Sequence, residues 1–421
     1  MTVGLIIMAA VLIGGLYMAW GIGANDVANA MGTSVGSGAL TLLSAIILAG
    51  VLEFAGSVLI GASVTQTISK GIVDTQLFDI TGRYGDRGPT ILALGMLCAL
   101  VAAAAWLHIA THIGLPVSTT HSIVGAVMGI GLVSFGIRGV DWGTMGGIVA
   151  SWVISPVLGG ILAFVSFWAI RRYILASPDP VLATVRTTPY IVAAVAAVMV
   201  LSFIYKVLKN RMDVPPILLA LAVAIGVGVI VGIMTAAFTR SLAPPPGMKP
   251  YDFVERVFAL LQIGTACFVA FAHGANDVAN AVGPVAAVVS IYQAGFASVP
   301  AEVGVPLWVL VLGGAGIVVG LATLGYRVIA TIGKEITEIT PTRGFSAEFG
   351  AATTVLLAST LGLPVSTTHT LVGAVIGVGF ARGIGALNLR IIRNIVNSWL
   401  ATVPVSAAAA AVLFAIARLF V

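Results

Sequence analysis

Apolar segments of about 20 residues recur along the whole sequence, and this pattern leaves few folds open to the chain. The segments carry almost no charge, since hydrophobic residues make up 59% of the 421 residues and charged residues 8%. An ordinary soluble domain has roughly 25% charged residues, so a soluble fold could not cover this much apolar surface. The sequence therefore predicts an integral membrane protein.

We predict an all-α polytopic fold with about 12 membrane segments. The apolar segments lie at residues 3–24, 39–62, 90–111, 117–135, 145–170, 188–208, 214–238, 254–275, 306–328, 347–362, 365–381 and 394–418. The fourth and eleventh segments are short for a full span and each follows a proline, which is typical of broken or re-entrant helices. The 50 glycines favour close packing of helices in lipid.

Two sequence words occur twice in the chain. The first, GANDVANA, spans residues 23–30 and returns unchanged at residues 274–281. The second, LPVSTTH, spans residues 115–121 and returns unchanged at residues 363–369. Because the words keep their order in both copies, the chain contains an internal duplication.

Each copy holds five predicted membrane segments, and two further segments connect the copies. We assign residues 1–175 to the first repeat, 176–250 to the connecting helices with a Pro-rich turn, and 251–421 to the second repeat. Because seven segments precede the second copy, it enters the membrane from the opposite side, which makes the repeats inverted. Placing the N-terminus outside puts most Lys and Arg residues in inside loops, as the positive-inside rule requires.

The GANDVANA word places one carboxylate in an apolar helix of each repeat. Such a carboxylate costs about 2.5 kcal/mol or more unless a cation compensates it. Neighbouring glycines predict that the helix unwinds around Asn25 and Asp26, and the freed oxygens suit a hard cation. The predicted cation ligands are Asp26, Asp277, Asn25, Asn276, Asn29 and Asn280. Capping of a helix N-terminus by Asn and Asp is the alternative interpretation.

The LPVSTTH word places three hydroxyls at the start of an apolar helix. Helix N-termini bind anions, and two inverted N-termini can enclose one tetrahedral oxyanion. The predicted oxyanion ligands are Ser118, Thr119, Thr120, Ser366, Thr367 and Thr368, together with Asn25 and Asn276. Ordinary N-capping is again the alternative. For His121 and His369 both ligand contact and a backbone contact that holds the loop stay open.

Neither word contains Arg or Lys, so we expect the charge of a bound anion to be offset by cations that travel with it. This expectation joins the two words into one site. Two further intramembrane acids, Glu53 and Glu348, have Ile317 and Leu100 at the equivalent positions of the other repeat. These single acids either form an additional cation or proton site or pair with a polar neighbour.

Other function classes fit the sequence less well. The basic residues are dispersed between apolar segments, so nucleic-acid binding is not indicated. Cys98 and Cys267 lie inside apolar segments and suggest no disulfide framework. We find no nucleophile–base–orienter set and expect neither an enzyme nor a resident cofactor. A cation/proton antiporter would leave the doubled hydroxyls without a role. A passive anion channel would need a continuous polar pore, which the short, glycine-rich apolar segments do not indicate.

The doubled words resemble those of the inorganic phosphate transporter (PiT) family, and the resemblance extends over both halves of the chain. It implies a symporter of the cell (inner) membrane that takes up phosphate with sodium, or with protons in some members, while certain relatives carry sulfate. Sodium would then be the co-substrate at Asp26 and Asp277, with phosphate at the hydroxyls. A homodimer is a candidate assembly.

Overall fold

The computed structural model describes residues 2–62, 65, 71–79, 83–206, 216–240, 242, 244–300, 302–330, 336–360 and 365–420. Within these ranges the chain is helical, apart from loops and one isolated β-bridge between Val73 and Val140. The α-helices are α1 (Thr2–Gly36), α2 (Leu42–Ile60), α3 (Gly88–His112), α4 (Thr119–Phe135), α5 (Trp142–Ile170), α6 (Pro180–Lys206), α7 (Ile217–Arg240), α8 (Pro250–Gln293), α9 (Leu307–Leu324), α10 (Tyr326–Ala330), α11 (Pro341–Thr360), α12 (Thr367–Arg382) and α13 (Leu389–Ala417).

Among the described residues, 10 helices are long and apolar enough to cross a membrane. The predicted all-α polytopic membrane fold is thereby confirmed. Helices α11 and α12 also lie where membrane segments are predicted, but they are not among these 10. Helix α12 has 16 residues, fewer than the roughly 20 that a full span needs. The total of about 12 membrane segments stays a prediction.

Helices α1 and α8 carry the two GANDVANA words and run unbroken through them. The predicted unwinding around Asn25 and Asp26 is therefore wrong. Helix α1 continues to Gly36, so Asp26 lies inside the helix, and Asp277 lies inside α8 in the same way. The glycines of the words have a different function, which the packing of the helices explains.

The glycines of the GANDVANA words allow the two repeats to interlock. A Cβ atom at Gly23 of α1 would overlap the carbonyl oxygen of Ile317 on α9. At the equivalent crossing, a Cβ atom at Gly274 of α8 would overlap the backbone of Glu53 on α2. Helix α1 thus packs backbone to backbone against α9, and α8 packs against α2 in the same way. In both cases the partner is the second helix of the other repeat, and small residues permit such close contact in lipid.

The last two helices of each repeat interlock in the same manner. A Cβ atom at Gly125 of α4 would crowd the backbone of Val403 on α13, and one at Gly373 of α12 would crowd the backbone of Pro156 on α5. Helix α4 therefore packs on α13, and α12 packs on α5. In the described part of the chain, neither repeat forms a separate bundle.

The helix breaks lie at the LPVSTTH words. Helix α3 ends at His112, the chain turns at Gly114 with a φ of +70°, and α4 begins after Ser118. A left-handed φ of this kind favours glycine. In the second repeat the same break lies between α11 and α12, where residues 361–364 are outside the described ranges.

Two apolar clusters enclose the polar words along α1 and α8. One cluster contains Met18 of α1 and Val285 of α8, and the other contains Met31 of α1 and Ala270 of α8. The polar word residues lie between these positions in both helices. The fold therefore places the two GANDVANA words in a polar layer inside an apolar bundle. The connecting helices α6 and α7 pack on each other at the periphery.

Gly274→Ala should destabilise the protein, because the added Cβ has to separate α8 from the backbone of Glu53. Overpacking of this kind costs about 1 to 3 kcal/mol. Gly264→Ala on the same helix is the matched control, since a Cβ there meets no atom within 4 Å. Thermal unfolding of the purified protein in detergent measures both. Equal melting temperatures for the two variants would contradict the close contact at Gly274.

Candidate functional site

Two buried carboxylates from different repeats meet where α1 and α8 pack together. One ligand atom from each of Asp26, His273 and Asp277 lies within 4.8 Å of the others. His273 Nε2 is 2.8 Å from Asp277 Oδ2 and 4.0 Å from Asp26 Oδ2. Nε2 lies near both carboxylates but makes no hydrogen bond of good geometry to a described residue. All three side chains are about 1% exposed.

Threonine hydroxyls of the LPVSTTH words donate to these carboxylates. Thr119 Oγ1 donates to Asp26 Oδ2 over 2.7 Å, and Thr367 Oγ1 donates to Asp277 Oδ2 over 2.9 Å. These two bonds are equivalent in the two repeats. Thr368 adds a bond between the repeats, with 3.2 Å from its Oγ1 to Asp26 Oδ1. The structure thus brings the predicted cation and anion ligands into direct contact.

The second asparagine of each GANDVANA word reaches a threonine of the other repeat. Asn29 Nδ2 donates to Thr368 Oγ1 over 2.8 Å. Asn280 Nδ2 lies 3.1 Å from Thr119 Oγ1 and 3.2 Å from Thr120 Oγ1. Asn29 Oδ1 accepts no hydrogen bond from a described residue, although it is buried. A buried oxygen of this kind is suited to a cation.

Asn25 binds the loop that precedes α4. Its Nδ2 donates to Thr111 Oγ1 over 3.0 Å and to the Leu115 carbonyl over 3.1 Å, and its Oδ1 accepts from the Val117 N–H over 3.0 Å. In this arrangement both ends of the amide are occupied by the protein. Asn25 therefore positions the first hydroxyl segment, and its predicted role as a direct ligand stays a prediction.

Ser118 and Ser366 are the N-cap residues of α4 and α12. Each side-chain oxygen accepts a hydrogen bond of 3.2 Å, Ser118 from the His121 N–H and Ser366 from the His369 N–H. The capping alternative therefore accounts for the hydrogen bond that each serine oxygen accepts. Each hydroxyl keeps its own proton for donation, so their predicted contact with an oxyanion stays a prediction.

The two histidines of the LPVSTTH words contact each other and two tryptophans. The His121 and His369 rings lie 4.2 Å apart between centroids. His121 lies 3.6 Å from the Trp152 ring, and His369 stacks at 3.7 Å on the Trp399 ring. The rings thus lie at a contact between the repeats.

His273 is the site residue that the sequence reasoning missed. It precedes the second GANDVANA word, at the position where the first repeat has Ile22. Its Nδ1 is 3.1 Å from Glu53 Oε1, and Glu53 itself has Ile317 as its equivalent. The sequence feature that could have identified the site is that His273 and Glu53 are both polar where the other copy has isoleucine.

Glu348 lies in a separate polar cluster. Both of its carboxylate oxygens accept hydrogen bonds from side chains of α1 and α8. The donors are Thr33 at 2.6 Å, Ser34 at 2.7 Å, Gln262 at 3.0 Å and Thr265 at 2.6 Å. Glu53 contacts the carboxylate pair through His273, whereas Glu348 has its own set of donors. The two acids therefore belong to different sites.

Asn25→Ala should destabilise the protein, because it leaves the Leu115 carbonyl and the Val117 N–H without their partner. Each unpaired buried group costs about 1 to 3 kcal/mol. Asn397→Ala is the control, since Asn397 is an exposed asparagine of α13. Denaturant unfolding should show the larger loss for Asn25→Ala, and equal losses would refute this positioning role.

This chain is similar to known phosphate transport proteins along most of its length. A family model described as the phosphate transporter family matches residues 22–410. A protein from Pyrococcus abyssi, named as a candidate phosphate permease, is 49% identical over 405 residues and 96% of both chains. The chloroplastic inorganic phosphate transporter 2-1 of Arabidopsis thaliana is 47% identical over 428 residues, covering 96% of this chain and 71% of that protein.

A solved structure titled "The sodium-dependent phosphate transporter" has a TM-score of 0.89 and 45% sequence identity to this chain. The alignment covers 99% of this chain and 100% of that one. The family consists of transporters, which confirms the expectation that the chain is not an enzyme. The match across nearly the whole sequence also confirms the resemblance that the doubled words indicate. This chain belongs to the phosphate transporter family.

Proposed function

We propose that this protein is a secondary symporter that takes up inorganic phosphate together with sodium. The observation that carries the proposal is the direct contact between the carboxylates of the GANDVANA words and the hydroxyls of the LPVSTTH words. Membership of the phosphate transporter family and the likeness to a sodium-dependent phosphate transporter support the same substrates. Sodium binds at Asp26, Asp277 and Asn29, and phosphate binds at the threonine hydroxyls.

The threonine protons supply a physical reason for coupling. A hydroxyl has one proton to donate, and Thr119 and Thr367 donate theirs to Asp26 and Asp277. A phosphate oxygen needs the same protons. Sodium bound at the carboxylates compensates their charge and releases the hydroxyls to the anion. Each ligand therefore increases the affinity of the other, because a binding linkage is reciprocal.

Proton coupling is the second candidate, and His273 favours it. Its ring contacts Asp277 on one side and Glu53 on the other, so a protonated ring would occupy the place proposed for sodium. A proton-coupled permease for phosphate or sulfate would use this group where a sodium symporter uses the metal ion. The uptake experiment below separates these cases, and it also tests cation/proton antiport.

Glu348 is proposed as an additional cation or proton site, distinct from Glu53. Its oxygens accept hydrogen bonds from hydroxyl and amide donors on α1 and α8. In the described ranges no Lys, Arg or His lies within 4 Å of it. A mobile cation or a proton is therefore the group that would balance its charge.

We further propose that the protein lies in the cell (inner) membrane with its N-terminus outside. Many large apolar side chains of the peripheral helices are exposed, among them Leu218 and Ile230 of α7, as expected for contact with lipid or with a second copy in a homodimer. The division into residues 1–175, 176–250 and 251–421 describes two inverted repeats and their connection.

Phosphate uptake into proteoliposomes under an imposed sodium gradient tests the proposed function. Asp277→Asn should lower the rate by roughly tenfold or more, because it removes the charge of one proposed sodium ligand. Asp252→Asn at the exposed start of the same helix is the matched control and should transport normally. A proton gradient and labelled sulfate form the other arms. Normal sodium-driven uptake by a folded Asp277→Asn protein would refute the assignment.

Thr119→Val should weaken the linkage between sodium and phosphate. Valine keeps the shape of the side chain but has no hydroxyl, so it cannot exchange a hydrogen bond to Asp26 for one to phosphate. In the wild type, a coupling of about 1 to 3 kcal/mol means roughly 5- to 150-fold higher phosphate affinity in sodium than in choline. Thr119→Ser keeps the hydroxyl and is the control. Calorimetric phosphate titrations in both salts measure the ratio, and an unchanged ratio in Thr119→Val would contradict the shared-proton mechanism.

A further inference from the structure

A polar cavity lies beside the segment that leads into the first LPVSTTH hydroxyls. It has a volume of about 530 Å³ and is bounded by the α3–α4 loop, α10 and the first turns of α13. Its lining includes His112, Leu115, Arg327 and Asn394. The cavity is separate from the buried carboxylate pair, and His112 and Asn394 are exposed.

Arg327 supplies a fixed positive charge to this cavity. Its Nη1 donates to the His112 carbonyl over 3.3 Å, and its Nε donates to the Tyr326 hydroxyl over 3.3 Å. Among the described residues, no carboxylate oxygen lies within 4.0 Å of its guanidinium. The side chain is half-buried, so its charge is partly shielded from water and is held in place by neutral acceptors. Its charge is therefore available to an anionic ligand.

Two further arginines lie on α13 beside the residues that line the cavity. Arg390 and Arg393 are exposed in the first two turns of α13, next to Asn394. The whole of α13 contains no Asp or Glu, and neither does the α3–α4 loop. A cleft lined by one sign of charge raises the local concentration of the opposite ion.

The cavity is connected to the proposed phosphate site through the backbone. Leu115 lines the cavity, and its carbonyl accepts from Asn25 Nδ2 over 3.1 Å. Asn25 Oδ1 also accepts a hydrogen bond from the Val117 N–H. Two residues further along the chain, Thr119 donates to Asp26. The chain segment that forms one wall of the cavity therefore ends at the hydroxyls of the site.

We propose that this cavity is an antechamber for a tetrahedral oxyanion, in which Arg327 is the cation that binds the ligand. The inference rests on the proposed function and specifies where phosphate binds between the aqueous phase and the buried site. The repeated words contain no Arg or Lys, so the buried site can release its anion when the coupling ions leave. A fixed cation in the antechamber attracts the anion without trapping it in the transport site.

A thiol placed in the cavity tests the proposal without reference to transport. Asn394→Cys is made in a Cys98→Ala, Cys267→Ala background and treated with an anionic or a cationic methanethiosulfonate reagent. The anionic reagent should react faster, and adding Arg327→Gln should lower the anionic-to-cationic rate ratio by about tenfold. Arg172→Gln, at an exposed arginine two residues after the end of α5, is the control and should leave the ratio unchanged.

Inorganic phosphate should slow modification of the introduced thiol, and this protection should be lost with Arg327→Gln. A phosphodiester lipid headgroup has the same chemistry, so the assay is run in nanodiscs of neutral lipid and of 30% anionic lipid. Protection by free phosphate in neutral nanodiscs supports the antechamber. No protection by free phosphate in neutral nanodiscs would overturn the proposal. If anionic lipid alone protects the thiol, the cavity is a lipid contact instead.

Sided uptake assays separate this proposal from the proposed function. If the antechamber serves transport, Arg327→Gln should raise the KM for phosphate by about fivefold or more when phosphate is added on the side of the membrane where the cavity opens. The maximal rate should not change. Arg327→Lys keeps the charge and should restore part of the phosphate affinity. An unchanged KM together with wild-type thiol protection in Arg327→Gln refutes the antechamber alone. A wild-type protein without sodium- or proton-driven phosphate uptake refutes the proposed function, while phosphate protection still reports on the cavity.

Discussion

The two carboxylates buried side by side in an apolar bundle are the constraint on which the rest of the site depends. Asp26 and Asp277 cannot both remain charged in this environment without compensation. The structure provides that compensation through Thr119, Thr367 and His273, all of which contact the carboxylates. The threonines satisfy the carboxylates through protons that can be redirected, so a metal ion could replace these contacts in the proposed site. In the proposed symporter the same contacts therefore stabilise the fold and couple the two substrates.

The interlocking of the repeats explains why the site needs both copies. Helices α1 and α8 each cross the second helix of the other repeat at a glycine, which brings the polar words together. The threonine contacts follow the same rule, because Thr368 of the second repeat donates to Asp26 of the first. In the proposed site, neither repeat carries a complete ligand set. A relative movement of the repeats would therefore change this site, as alternating access in the proposed symporter requires.

The sequence predicted the doubled parts of the molecule well and the single parts poorly. Repeated words and apolar segments were sufficient for the all-α membrane fold and the family, and the hydroxyls and carboxylates of the words lie in contact in the structure. The continuity of α1 could not be read from the glycines, since glycine serves both helix breaks and close packing. His273 escaped because a search for repetition does not detect a residue present in only one copy, and its relevance depends on contacts with Glu53 and Asp277 that only the fold creates.

These single residues make the two halves of the site physically unequal. Glu348 is surrounded by hydroxyl and amide donors from α1 and α8, whereas its equivalent Leu100 lies in an apolar cluster with Val11 and Val285. Separating helices at the polar cluster breaks hydrogen bonds to a buried acid, while separating them at the apolar cluster exposes only hydrocarbon. Two identical inverted repeats would give inward- and outward-facing states of equal intrinsic energy. In the proposed inverted-repeat symporter, the polar cluster at Glu348 would remove that degeneracy, and a cation or proton bound there would shift the balance between the two states.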